Sequence, residues 1–151
     1  MTDTLVEMSL VVFCPEDPLP ADAGWRDRAV AWFLRRLQPG FRHCFVMWRS
    51  RLGPAWIIVN HHLGRLDVLE QPDTPVEAFG TVFPHYGAVL AWMEERGLAH
   101  SVWVPRQPNH RFAPRGPMNC VSVVKHVLGI EAALILTPWQ LYRRLTKPEA
   151  S

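Results

Sequence analysis

The sequence carries almost no net charge. Its 16 Lys and Arg face 14 Asp and Glu, a formal balance of +2. The basic residues form no block or stripe, which argues against nucleic acid as the main partner. The pairs Arg35-Arg36 and Arg143-Arg144 read as solvated helix faces. Cysteine is scarce: Cys14, Cys44 and Cys120 are the full set. An odd number at wide spacing makes a poor disulfide framework and contains no CxxC metal pattern. Reduced thiols and a cytoplasmic setting are the expectation, with release as part of a particle equally compatible with these counts. No apolar run reaches the length of a membrane span. The N-terminus has no basic region leading into an apolar run and cleavage site, so no secretory signal is expected. HExxH, GxxxxGK[ST] and GxGxxG are all missing. His61-His62 sit side by side on one expected strand and point to opposite faces, so they make a poor metal pair. No metal and no cofactor are expected.

What the sequence does have is proline, at 14 residues, and tryptophan, at 7. The prolines are dispersed and punctuate loops. The chain of 151 residues is long enough for one hydrophobic core, and no internal repeat or linker divides it, so residues 1–151 are expected to form a single domain. Residues 4–14, TLVEMSLVVFC, read as a strand. Asp22 is a candidate cap for a helix over AGWRDRAVAWFLRRLQ, where Trp25, Ala29, Trp32, Phe33 and Leu37 recur at helical spacing, an apolar side expected, like that of the last helix, to be buried in the chain's own core rather than to dock a partner. FRHCFVMWR (41–49) and AWIIVNHH (55–62) read as a hairpin about SRLGP, and RLDVLEQ (65–71) as a third strand. PDTPVEAFG reads as a loop. A helix is expected over 84–96, closed by Gly97. SVWVP (101–105) reads as a strand and RQPNHRFAPRGPM as a loop. Asn119 caps a helix from Cys120 to Leu128 that stops at Gly129. Thr137 caps the last helix, TPWQLYRRL, with Pro138 in its first turn. Hairpins mixed with helices, without βαβ alternation, indicate an α+β fold.

The chemistry concentrates at NCVSVVKHVLGI, residues 119–130. A thiol attacks as its thiolate, and the first-turn N–H groups of a helix stabilise negative charge. Cys120 holds that position, and the same donors suit an oxyanion. Cys44 lies mid-strand beside His43; alternation turns the two apart, so Cys44 reads as core. Cys14 has no chemical signature. Cys120 can itself be read as core, since Val121, Val123, Val124, Val127 and Leu128 make the helix largely interior. Among the histidines, His126 faces away from Cys120 and reads as solvated, His85 and His100 flank a helix at the surface, and His110 is in the loop. His43, mid-strand among apolar residues, requires a polar partner. Its cross-strand neighbours fall near 60 or 61, so Asn60 or His61 would orient the ring. Those residue types fix the tautomer of a catalytic histidine.

A nucleophilic Cys opening a helix, a His on a sheet strand and a polar residue on the next strand together resemble the papain-like thiol hydrolases. Here the His strand precedes the Cys helix. That order resembles the circularly permuted branch, with its NlpC-type and lecithin retinol acyltransferase-like members, in which the nucleophile stands in an Asn-Cys pair such as Asn119-Cys120. The resemblance covers residues 41–128. FRHCFVMW and GPMNCVSVVKHVLGI…LTPWQLY also resemble small bacteriophage-encoded proteins. One departure is the long separation in sequence of Asn60 or His61 from His43.

The resemblance implies a permuted papain-like fold, with an antiparallel sheet packed against the Cys-bearing helix. It implies a cysteine hydrolase or acyl transferase with Cys120 as nucleophile, His43 as base, Asn60 or His61 as orienting group and Asn119 beside the oxyanion. Peptide, peptidoglycan or ester would be the substrate. The alternative is a non-catalytic structural or binding module of the same fold, for example a component of a phage particle in contact with other virion proteins.

Overall fold

A computed structural model describes residues 7–15, 24–34, 38–62, 65–106 and 119–147. The expected cap Asp22, the basic pair Arg35-Arg36, Leu37 and the loop containing His110 lie outside the described residues. The elements run β1 (Glu7–Cys14), α1 (Trp25–Leu34), β2 (His43–Arg49), β3 (Ala55–His62), β4 (Arg65–Pro72), β5 (Val76–Ala78), β6 (Thr81–Phe83), α2 (Tyr86–Glu95), β7 (His100–Arg106), α3 (Cys120–Leu128) and α4 (Pro138–Thr146). Five strands form one sheet in the order β4-β3-β2-β1-β7, and every neighbouring pair is antiparallel. The fold is α+β, an antiparallel sheet with helices packed on it.

β1 lies inside the sheet, between β2 and β7, and is buried on both faces, which is why it reads as an unbroken apolar run rather than an alternating one. Alternation splits its side chains between two cores. Val11 and Phe13 join Cys44, Val46 and Val59 against Val121, Val124 and Leu128 of α3 and Leu141 of α4. Leu10, Val12 and Cys14 join Phe45, Met47 and Ile58 against Leu90 of α2. Helices therefore cover both faces, and α3 lies directly on β2 and β3. β7 is an edge strand, which accommodates Pro105, a residue without an N–H for the ladder. No helix among the described residues is long and apolar enough to cross a membrane.

Two expectations are corrected. The stretch read as a loop, PDTPVEAFG, contains β5, which pairs with β6 in a small hairpin. Its turn is Phe79-Gly80, both at positive φ (52° and 70°). A phenylalanine there is uncommon, so the usual Asn-Gly or Asp-Gly signal was missing. Phe79 stacks on Trp92 of α2 at 4.8 Å, a contact that offsets the cost of its backbone. The second correction concerns α1. Its helical-spaced Trp25, Ala29 and Trp32 do not form core: Trp25 is 75% and Trp32 56% exposed. Spacing identified the helix, but the two sheet faces are covered by other helices. The last helix does dock. Leu141 is fully buried, and Trp139 and Tyr142 pack on Phe41, with Tyr142 edge-on to Phe13 at 5.3 Å.

Candidate active site

α3 begins where the sequence indicates. Asn119 has extended backbone, and its Oδ1 accepts from Ser122 N at 2.8 Å, while Ser122 Oγ accepts from Asn119 N at 2.8 Å. This reciprocal capping box satisfies two of the helix's orphan donors. The N–H groups of Cys120 and Val121 are the first-turn donors outside it. Gly129 closes the helix at φ 72°, in the left-handed region that favours glycine. Asn119→Ala removes the side-chain half of the cap and is expected to cost about 0.5–2 kcal/mol, read as a lower urea midpoint at equilibrium with unchanged slope.

Cys120 is half-buried, at the edge of the α3 core. Its thiol is held well below the ordinary thiol range. The largest cause is a hydrogen bond from the Cys44 thiol; a hydrogen bond with His43 and the nearby imidazole charge act the same way, against the opposing effect of burial. The Cys44 backbone also hydrogen-bonds to the Cys120 sulfur. Cys44 behaves in reverse: complete burial, and then the Cys120 sulfur, push its thiol well above the usual value. Of the pair, Cys120 carries the charge and Cys44 donates.

His43 Nε2 lies 2.7 Å from Asn60 Oδ1. A carboxamide oxygen only accepts, so Nε2 bears the proton and Nδ1 is the basic nitrogen of the neutral ring. The β2–β3 ladder explains how these groups meet. It runs from Arg49↔Trp56 to Val46↔Val59. Beyond that pair, β2 continues to His43 along β1, and β3 continues to His62 along β4. His43 and Asn60 meet at that open end, bridged by their side chains. His61 is buried, and by alternation it points to the other side of β3 from Asn60.

Comparison of the chain with protein-family models, with curated proteins and with solved structures finds no match.

The structure thus brings Cys120, His43 and Asn60 together, with Asn119 at the helix start beside them. Of the two expected partners of His43, Asn60 is hydrogen-bonded to it. The sequence indicates only core for Cys44; it is core, and it also interacts with Cys120. Alternation along β2 hid this, because that rule compares Cys44 with His43 and not with the helix packed on the Cys44 face. His126 is corrected: it is half-buried, with Nε2 shielded from solvent, because α3 is packed along more than one side. His100 is corrected too, being half-buried with its ring stacked on Phe41 at 4.8 Å. His85 is exposed and caps α2, its Nδ1 accepting from Ala88 N at 3.2 Å. Among the described residues no group of three or more His, Cys, Asp or Glu is arranged to hold a metal ion.

Proposed function

We propose that this chain is a cysteine hydrolase or acyl transferase acting on an amide or ester carbonyl. The observation that carries the reading is the connected series Cys120–His43–Asn60, closed by the 2.7 Å contact between His43 Nε2 and Asn60 Oδ1. Each member has the chemistry its role requires: a lowered thiol, a ring with a basic nitrogen, and an acceptor that holds the tautomer.

In the proposed reaction, His43 takes the Cys120 proton and the thiolate attacks the carbonyl carbon. The tetrahedral oxyanion is held by the Cys120 N–H at the start of α3. Asn119 Oδ1 is committed to Ser122, so the group it can offer is its Nδ2–H. The imidazolium returns the proton to the leaving amine or alcohol as the carbonyl re-forms. Water, or another acceptor, deprotonated by His43, then releases the acyl group from sulfur. This chemistry agrees with membership of the permuted papain-like hydrolases, and with a peptide or peptidoglycan amide as substrate in a phage or cell-wall setting. The non-catalytic alternative draws support from the exposed Trp25 and Trp32 of α1, which a binding module would use and the chemistry does not need.

The test is acylation of the reduced protein by p-nitrophenyl acetate, followed by intact-mass analysis and peptide mapping. The hydrolase reading expects a burst of nitrophenolate with an acetyl group on Cys120, and turnover of a peptide or muropeptide panel by the same chain. A Cys120 that takes no acyl group while the protein is folded contradicts it and leaves the binding module.

A further inference from the structure

The reaction proposed above uses one thiol, yet a second lies against it. α3 starts at Cys120 and packs on β2, and Cys120 rests on the cluster that contains Cys44. Both are free cysteines on the α3 face of the sheet, and the two thiols interact. Cys44 is completely buried, so no outside reagent meets it before Cys120. Cys14 alternates onto the opposite face of the sheet and packs in the other core. The protein therefore holds a selected pair, one half-buried thiol and one enclosed thiol next to it.

We infer that Cys44 and Cys120 form an oxidation site in which peroxide attacks Cys120 and Cys44 closes onto it as a disulfide, reversibly masking the nucleophile. The steps balance. The Cys120 thiolate displaces hydroxide from hydrogen peroxide and becomes a sulfenic acid; sulfur is oxidised by two electrons and the peroxide oxygen is reduced. The Cys44 sulfur then attacks the sulfenic sulfur, its proton leaves with the hydroxyl as water, and the S–S bond forms. The sulfurs must close to about 2.05 Å. A dithiol reductant restores both thiols. A buried resolving thiol next to the nucleophile would protect it from over-oxidation to the irreversible sulfinic acid. The masking of activity rests on the hydrolase reading; the bond itself does not.

The test treats the full, reduced chain with graded hydrogen peroxide, then maps disulfides by non-reducing peptide mass spectrometry. The expected product is a Cys44–Cys120 cross-link, a fall of about tenfold or more in iodoacetamide labelling of Cys120, since only the thiolate reacts, and full recovery with dithiothreitol. In Cys44→Ser, with Cys44→Ala as a second variant if the first does not fold, the same treatment is expected to give dimedone-trappable sulfenic acid and then sulfinic acid at Cys120. Wild type that passes to sulfinic acid without a cross-link, that cross-links Cys120 to Cys14, or that leaves Cys120 unoxidised overturns the inference. Acetylation by p-nitrophenyl acetate on the same reduced sample separates the two claims. A cross-link without acetylation refutes the hydrolase alone, and acetylation without a cross-link refutes the thiol pair alone.

Discussion

Cys120→Ala is expected to form no acyl-enzyme, and His43→Ala to form it about 100- to 10,000-fold more slowly, the range a positioned general base contributes. The two losses differ in kind. Without the sulfur there is no atom to acylate. Without His43 the sulfur remains, but it loses a hydrogen-bond partner and a neighbouring positive charge, so less of it is thiolate near neutral pH. The hydrogen bond from Cys44 does not depend on the His43 side chain, which is why reduced reaction and not complete loss is expected in His43→Ala. Stopped-flow release of nitrophenolate separates the outcomes, with circular dichroism as the control for folding. Equal acylation in His43→Ala and wild type would remove His43 from the proposal.

Leu141→Ala is expected to destabilise the fold by about 2–5 kcal/mol, the range for a leucine removed from a tight core. For a chain of this size each kcal/mol lowers Tm by roughly 2–4 °C, so the shift is easily resolved by calorimetry. The reasoning is local. Leu141 is fully buried in the core shared with Phe13, Cys44 and Val124, and the α4 turns around it bring Trp139 and Tyr142 onto Phe41. The cavity opens on the same face as α3, so labelling of Cys44 on partial denaturation should begin earlier than in wild type. A loss below about 1 kcal/mol, the cost of an ordinary substitution, would mean that α4 is not integral to this core.

Much of the architecture was legible because burial leaves periodic marks. β1 announced itself as a run buried on both faces, and α3 and α4 through Asn119, Gly129, Thr137 and Pro138, residues whose backbone roles are local. The β5–β6 hairpin was not legible, because its turn uses a phenylalanine at positive φ. The fate of Trp25 and Trp32 was not legible either: amphipathic spacing shows that a helix has an apolar side, not that the rest of the chain covers it. At the candidate site, the cap ahead of Cys120 was readable from helix signals, but the pairing around His43 was not: the β2–β3 register, continued past Val46↔Val59, sets His62 opposite His43 and Asn60 two residues along. The choice of Asn60 depended on where the β2–β3 ladder ends, at Val46↔Val59, a property of the sheet and not of either strand. Cys44 was half readable. Its burial followed from its neighbours; its contact with Cys120 arises between an early strand and a late helix, which no local pattern encodes.

The most direct test of the central claim is the pH dependence of Cys120 alkylation by iodoacetamide in the folded, reduced wild type and in His43→Ala. The thiolate is the reactive form. Because the Cys120 thiol is held below its ordinary value, the thiolate survives as the pH falls beneath about 8.5, the value of a free cysteine, and labelling declines only when the pH passes the lowered value. The account predicts fast labelling at and below neutral pH in wild type, and a profile moved to higher pH in His43→Ala. A wild-type profile rising near 8.5, or a Cys120 that labels only after unfolding, would contradict it and return Cys120 to the core.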